Sequence, residues 1–211
     1  PMKILIVCES SGTVRDAFRA FGHDAWSCDL LPADDGSPYH LQCDMFEAIN
    51  DSWDLIGMHP ECTYMNVAGI HWNNRGRGWE KTEASIEQVK RLMSHKGAWY
   101  LENPISIIST RIRKPNQIIQ PYEFGDDASK KTCIWTNKLP VLQIDPTARK
   151  NGRLVEWPKG SGNIVERWSN QTDSGQNKLP PSKDRWKERS KTYPGIAKAF
   201  AKQWGLPLNG C

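Results

Sequence analysis

The stretch GMHPECTYMN, residues 57–66, crowds a glycine and a proline around Cys62 and directly follows a short apolar segment. A cysteine at the end of a strand can fill the core, bind a metal or act as a nucleophile. The nucleophilic role needs thiolate character and access for a substrate, and a loop at a strand end provides that access. Taken alone, Cys62 leaves all three interpretations open.

A carboxyl group follows another short apolar segment, because Glu102 and Asn103 come directly after residues 98–101. A cysteine and a carboxyl group at neighbouring strand ends suit attack on C6 of a cytosine, with Glu102 contacting N3 and the exocyclic amine. The attack makes C5 nucleophilic, so that C5 can take an alkyl group from a sulfonium donor. A base inside a duplex would first have to be flipped out of the stack.

The segments that must position these residues alternate between strand-like and helix-like patterns. Apolar runs typical of buried parallel strands recur, and segments with helical periodicity lie between them. Predicted strands span residues 3–8, 24–30, 39–43, 53–58 and 98–101, and predicted helices span residues 13–21, 46–50, 82–96 and 192–204. This order predicts a doubly wound α/β fold with a mostly parallel sheet.

Residues 140–190 have a different character, because Gly, Pro, Asn, Ser, Lys and Trp dominate and the periodicity fades. We expect an irregular, loop-rich insertion there, with at most a few short strands, before the C-terminal helix. At 211 residues the chain is most simply one domain spanning residues 1–211.

Polar residues recur at the carboxyl ends of the predicted strands, which is where ligands bind in parallel α/β sheets. They lie in the segments Glu9 to Gly12 and His59 to Cys62, at Asp29 and Asp44, and at Glu102 and Asn103. A turn that contains Gly12 lets the backbone approach a ligand closely, and Asp29 is placed to accept hydrogen bonds from a ribose. Asp29 and Asp44 are equally well explained as carboxylates that stabilise turns.

Composition narrows the class of protein. The six cysteines are far apart and form no CxxC pair, which favours a reducing cytoplasm over a disulfide framework. No run approaches the ~20 apolar residues of a membrane span, and the N-terminal PMKILIV is typical of a strand and not of a signal peptide. The net charge of +4 permits nucleic-acid binding without establishing it. The ten tryptophans are explained either as anchors for loops or as platforms for stacked bases.

Three motifs carry a family resemblance. Residues 54–62, DLIGMHPEC, resemble a Pro-Pro-Cys nucleophile loop, and residues 100–104, YLENP, resemble a Glu-Asn-Val segment that bears a catalytic glutamate. Residues 192–197, TYPGIA, resemble a last motif that completes a cofactor pocket. In this order the motifs resemble the C5-cytosine DNA methyltransferases, particularly short phage- or prophage-type members, over residues 3–105 and 190–204.

The resemblance implies a Rossmann-like methyltransferase fold, S-adenosylmethionine as cofactor, a flipped cytosine in DNA as substrate and, for a phage protein, the cytoplasm of a bacterial host. It implies Cys62 as the nucleophile, Glu102 as the group that stabilises the activated ring and Asn103 as the residue that orients this strand end. Cofactor binding would fall to Cys8, Glu9, Ser10, Ser11, Gly12, Asp29, Asp44, Pro60, Thr192 and Pro194. No metal is expected.

The chain departs from the family pattern at several positions. Cys8 and Ser10 replace a phenylalanine and a glycine of the cofactor turn, and His59 and Glu61 add two titratable groups beside Cys62. These two groups either tune the thiolate or are structural substitutions. Residues 140–190 are too few for a large target-recognition domain, so sequence specificity is expected to be low, or supplied by short loops or by a protein partner.

No Gln-x-Arg-x-Arg segment is visible, and cations in loops near the predicted strand ends are the candidates for phosphate contacts. They are Arg75, Arg77, Arg111, Arg113, Lys114, Lys130 and Lys131. They form a phosphate-tracking groove if they line one cleft, and otherwise they are solvated surface charges.

Other chemistries and substrates compete with this interpretation. His59 and Glu61 fit the H-x-E of a zinc deaminase, but no Pro-Cys-x-x-Cys pair follows, and His59 with Cys62 gives only two ligands for a metal. A methyltransferase-like module that binds S-adenosylmethionine or nucleic acid without catalysis is the stronger rival. The same chemistry on RNA, single-stranded DNA or a free nucleotide, or with a modified sulfonium donor, also stays open.

Overall fold

The computed structural model describes residues 1–206 of the chain, apart from the side chain of Ala68. Cys211, one of the six cysteines, lies outside the described residues. In the part described, apolar strands and amphipathic helices alternate as the sequence predicts, and the result is an α/β fold built on a seven-stranded sheet.

Six strands of this sheet run in one direction. In chain order the strands are β1 (Lys3–Val7), β2 (Asp24–Asp29), β3 (His40–Gln42), β4 (Leu55–Met58), β5 (Trp99–Pro104), β6 (Gln117–Ile119) and β7 (Thr132–Asn137). Their spatial order is β3-β2-β1-β4-β5-β7-β6. The pairs from β3 to β5 are parallel, whereas β7 is antiparallel to both β5 and β6. The predicted mostly parallel sheet is confirmed.

The helices of the described residues pack on both faces of the sheet. They are α1 (Thr13–Ala20), α2 (Met45–Ala48), α3 (Val67–Ile70), α4 (Glu80–Met93), α5 (Ile108–Arg111), α6 (Arg185–Ser190) and α7 (Pro194–Trp204). The last of them begins two residues later than predicted, because Pro194 occupies the first helical position, which suits its fixed φ. Between residues 140 and 190 a hairpin of β8 (Arg153–Glu156) and β9 (Ile164–Arg167) stands among loops.

The sheet separates two hydrophobic cores. Ile4 and Ile6 of β1 pack in the core that contains α1 and α7, and Leu5 and Val7 pack in the core that contains α4. All four side chains are fully buried. A strand with both faces covered needs apolar residues at every position, which is why the sequence shows a continuous apolar run here instead of alternation.

Three stacked aromatic rings join the C-terminal helix to the centre of the sheet. The ring of Tyr100 in β5 lies 5.0 Å from that of Trp204 and 4.5 Å from that of Phe200, both in α7. The indole N–H of Trp204 donates to the carbonyl oxygen of Pro140 at 2.9 Å. This stack fixes helix α7 against the strand that carries Glu102.

Candidate active site at the carboxyl edge of the sheet

A crevice opens between β1 and β4, where the order of the strands reverses along the sheet. The chain passes from β1 outward to β2 and β3 on one side, and from β4 outward to β5 on the other. Such a topological switch point is the place where doubly wound sheets bind ligands. The turn 8–12 follows β1, the loop 59–62 follows β4, and Glu102 lies near the end of β5. The fold therefore brings the three predicted segments to one edge.

Cys62 is half-buried in the loop after β4. The side-chain nitrogen of Asn66, the N-cap residue of α3, lies 3.8 Å from its Sγ atom. Burial raises the pKa of the Cys62 thiol, and the negative charge of Glu102 raises it further, whereas Asn66 and the positive charge of Lys130 lower it. The net effect is a raised pKa of Cys62, and Asn66 and Lys130 are the groups that favour the thiolate.

Alkylation of Cys62 should therefore respond to its neighbours in opposite directions. Asn66→Ala and Lys130→Gln each remove a group that favours the thiolate. The rate at which iodoacetamide labels Cys62 at pH 8 should therefore fall by a factor of roughly three or more. Glu102→Gln should accelerate the labelling, because it removes a nearby negative charge. Mass spectrometry of the peptide that contains Cys62 measures each rate. Equal rates in all three variants would contradict this electrostatic description.

Glu102 is buried and holds a specific partner. Its Oε2 atom lies 3.0 Å from Nδ1 of His59, and both side chains are about 8% exposed. Burial raises the pKa of Glu102, but the hydrogen bond from His59 and the positive charge of Lys130 outweigh it, so the pKa lies below the usual value. The contact thus stabilises the folded protein fully at pH values above the pKa that Glu102 has in the unfolded chain. This stabilisation is lost as the pH falls through the lower pKa that Glu102 has in the folded protein.

His59 and Glu61, the two titratable residues of the loop after β4 besides Cys62, have different environments. His59 also lies 2.9 Å from the Tyr100 hydroxyl, through Nε2, and neither contact is with Cys62. Glu61 is exposed and accepts a hydrogen bond from the Thr63 hydroxyl at 2.6 Å. His59 therefore acts on the carboxyl group of the site, a contact that the sequence analysis did not consider.

Asn103 connects the end of β5 to the nucleophile loop. Its side-chain nitrogen donates to the carbonyl oxygen of Pro60 at 2.9 Å, and the residue is 1% exposed. Its Oδ1 atom has no hydrogen-bond partner within residues 1–206. Asn103 thus lies where the sequence analysis expected a residue that orients this strand end, and Pro60 receives its hydrogen bond.

The turn after β1 has an unusual backbone. Cys8 has φ 60°, which is uncommon for a residue with a side chain, and Gly12 has φ 71°. The Glu9 carboxylate accepts hydrogen bonds from the backbone N–H groups of Val14 at 2.7 Å and Arg15 at 3.1 Å. Glu9 therefore caps α1 and holds the shape of the turn, with both carboxylate oxygens engaged.

Arg15 is a structural residue that the sequence analysis missed. It is fully buried, donates to the Ser27 hydroxyl at 3.1 Å and pairs with Asp35. Its guanidinium lies directly against Gly12, where a Cβ atom would collide with it. Nothing in the sequence distinguishes this arginine from an exposed one on an amphipathic helix.

The other predicted cofactor residues surround the crevice. Asp29 accepts a hydrogen bond from the backbone of Leu31 at 2.9 Å, and Asp44 caps α2, so each stabilises local backbone as one interpretation proposed. Burial and the charges of Asp29, Asp44 and Glu61 raise the pKa of Cys8, which places three carboxylates near its thiol. Ser10 accepts from the backbone of Asp34 at 2.9 Å.

The segment before the last helix closes the crevice from the other side. Thr192 is buried, and its hydroxyl lies 3.5 Å from Nδ1 of His59. Pro194 is exposed at the start of α7, and Ser11 accepts a hydrogen bond from the Thr13 hydroxyl at 3.2 Å. The C-terminal motif therefore meets the nucleophile loop as the sequence order suggests.

The predicted basic residues do not gather in one cleft. Lys130 lies close enough to affect the pKa values of both Cys62 and Glu102. Arg77 is tied into its own loop through Gly69 and Asn73. The remaining exposed residues are Arg75, Arg111, which pairs with Glu83, Lys114 and Lys131.

Arg113 lies at the opposite edge of the sheet. It donates to the carbonyl oxygen of Thr136 at 3.1 Å, and Thr136 pairs with Tyr100 near the start of β5. That edge is remote from the strand ends where Cys62 and Glu102 lie.

A cleft of about 620 Å³, lined mostly by residues with polar side chains, lies beside the site. Lys130 lines it together with Lys178, Arg189, Asn170 and Tyr193. The Lys130 ammonium group donates to the backbone oxygen of Arg189 at 2.9 Å. Lys178 comes from the loop-rich segment and Arg189 from α6. The sequence lacks periodicity there, so only the positive charge of these residues could have marked them as candidates for the site.

No family model and no curated protein matches the chain. Within residues 1–206, no group of three or more His, Cys, Asp or Glu side chains is arranged to hold a metal ion. No helix of this part of the chain is long and apolar enough to cross a bilayer.

Proposed function

We propose that the protein transfers a methyl group from S-adenosylmethionine to C5 of cytosine in DNA. The observation that carries the proposal is the meeting of Cys62 and Glu102, from neighbouring strands β4 and β5, beside the switch point of the sheet. A half-buried thiol next to a buried, ionised carboxylate suits covalent addition to a pyrimidine. Neither group is needed by a module that only binds a ligand.

The crevice at the switch point fits a sulfonium donor. The turn from Cys8 to Gly12 has two left-handed residues that shape its backbone, and Asp29, Asp44 and Glu61 lie near it. Three carboxylates favour a ligand that carries positive charge, as a sulfonium and an ammonium group do. When bound, S-adenosylmethionine supplies the methyl group that C5 takes up, and it leaves as a neutral thioether.

The side chains then account for the covalent chemistry. Cys62 loses its proton to solvent and forms a bond from Sγ to C6, while the C5–C6 π electrons move into the ring and N3 takes a proton from solvent. Glu102, as a carboxylate, accepts hydrogen bonds from the 4-amino group and from the new N3–H. After C5 has gained the methyl group and lost its proton to a solvent base, the C5–C6 double bond re-forms, Cys62 departs as thiolate and N3 returns its proton to solvent.

The substrate must bring an unstacked cytosine to the half-buried thiol. In duplex DNA this requires flipping of the base. The cleft beside Lys130, with Lys178 and Arg189 on its walls, supplies positive charge for the adjacent phosphates. Because the segment 140–190 contributes only a hairpin, short helical turns and loops, we expect little sequence preference.

Transfer of tritium from methyl-labelled S-adenosylmethionine tests the proposal. We expect label in duplex DNA that contains cytosine and none in a matched duplex of adenine and thymine alone. Single-stranded DNA, RNA and deoxycytidine monophosphate are the parallel substrates, and label in one of these alone would change the substrate but keep the chemistry. Absence of label in all of them, with binding of S-adenosylmethionine still measurable by calorimetry, would favour the non-catalytic module.

A further inference from the structure

The imidazole of His59 is held between two side chains of β5. Nδ1 lies 3.0 Å from Oε2 of Glu102, and Nε2 lies 2.9 Å from the Tyr100 hydroxyl. Both partners are buried, with Tyr100 fully so. A ring with both nitrogens engaged cannot rotate without breaking two hydrogen bonds to buried partners, so its orientation is fixed.

The direction of the hydrogen bonds follows from the protonation of the partners. Glu102 has a pKa below its usual value and is ionised at neutral pH, so it only accepts. Burial raises the pKa of Tyr100 well above its ordinary value, so it keeps its O–H proton. Nδ1–H of His59 therefore donates to Glu102, and the second hydrogen bond joins Nε2 of His59 to the Tyr100 hydroxyl.

The scaffold around Tyr100 is built for this contact. Gly57 of β4 pairs with Tyr100 in the sheet, and a Cβ atom at this position would collide with the tyrosine hydroxyl. The opposite side of the ring packs on Phe200 and Trp204. Gly57 thus provides the space that lets the hydroxyl reach His59.

Three further groups complete the environment of the imidazole. Glu9 belongs to the turn after β1: burial raises the pKa of its carboxyl group, and His59 acts against this effect without cancelling it. Lys130 acts on Glu102 from the segment before β7. The Thr192 hydroxyl lies 3.5 Å from Nδ1, and Tyr100 and Glu102 face the ring from β5.

We propose that His59 is a positioning residue that selects the base. By occupying Oε2 of Glu102, it leaves the other carboxylate oxygen as an acceptor directed at the substrate. An acceptor there pairs with the 4-amino group of cytosine and repels the 4-carbonyl group of uracil or thymine. The inference rests on the proposed function and extends it, because it explains why a histidine stands beside the nucleophile.

The contact itself is testable without any substrate. In protein labelled with ¹³C at the glutamate side-chain carboxyl group, NMR follows the titration of Glu102, assigned with Glu102→Gln. His59→Leu should move the midpoint upward by roughly one pH unit or more, because only Lys130 then opposes the effect of burial. His59→Gln, which keeps an N–H donor, should move it less, and Tyr100→Phe provides a second variant if His59→Leu does not fold. An unchanged midpoint in these variants would overturn the proposal.

Base selection is tested with methyl transfer to two oligonucleotides, one with cytosine and one with uracil at the same positions. His59→Leu should reduce the preference for cytosine tenfold or more, while His59→Gln keeps most of it. An unchanged preference in His59→Leu would overturn selection by this contact. If the wild-type protein methylates no cytosine substrate, the proposed function fails together with base selection, whereas the NMR midpoint still decides the contact.

Discussion

Replacement of Cys62 by alanine should abolish methyl transfer, with a loss of roughly 10⁴-fold or more in rate, because the covalent route has no other nucleophile in place. The thiol lies at the end of β4, one strand from Glu102, and no water molecule can form the same bond to C6 with comparable reactivity. Initial rates with labelled S-adenosylmethionine measure the loss. Binding of S-adenosylmethionine should persist, because the turn after β1 is untouched.

Cys43 offers a matched control for this substitution. It is also half-buried, lies just beyond β3 and has its Sγ atom 3.8 Å from that of Cys28. Cys43→Ala should retain transfer and should still form a covalent adduct with DNA that contains 5-fluorocytosine, visible as a shifted band on a denaturing gel. Cys62→Ala should form none. Label that survives in Cys62→Ala would rule out the covalent mechanism.

Trp204→Ala should lower the free energy of unfolding by about 3–5 kcal/mol, the range for a fully buried large aromatic residue. Trp204 is fully buried, stacks on Phe200 with ring centroids 4.7 Å apart and donates its indole proton to Pro140. The substitution opens a cavity under Tyr100 and removes the hydrogen bond to the carbonyl oxygen of Pro140. Since domains are stable by only about 5–15 kcal/mol, the loss is a large share of the total.

Urea denaturation followed by circular dichroism measures this change. Trp186→Ala is the appropriate control, because that indole is 58% exposed on α6 and surface substitutions usually stay within about 0.5 kcal/mol. A loss below about 1 kcal/mol in Trp204→Ala would show that the aromatic stack does not stabilise the sheet. Both substitutions remove the same side chain, which is fully buried at position 204 and mostly exposed at position 186.

The parallel half of the sheet could be predicted from the sequence, but its antiparallel edge could not. Residues 4–7 form a continuous apolar run because both faces of β1 are buried. In β7 the buried residues Cys133, Ile134 and Trp135 are flanked by threonine and asparagine. That pattern becomes a strand only through its long-range pairing with β5, which a local window of sequence does not contain.

The candidate site shows the same division between local and long-range information. Cys62 and Glu102 could be placed together because each follows an apolar strand, and the ends of neighbouring parallel strands meet at one edge. The contact of His59 with Glu102 depends on the register that sets Gly57 opposite Tyr100. Register and side-chain direction are properties of the folded sheet, so the sequence left two roles open for His59.

The reversed direction of β7 has a consequence for how such a site can diversify. The other strands present their final residues at the ligand edge, whereas β7 presents its beginning, so Lys130 reaches the site from a loop that precedes a strand. Surface loops tolerate changes of length at a modest entropic cost. Insertions between β6 and β7 could therefore add new substrate contacts while every crossover helix of the parallel strands keeps its length and handedness.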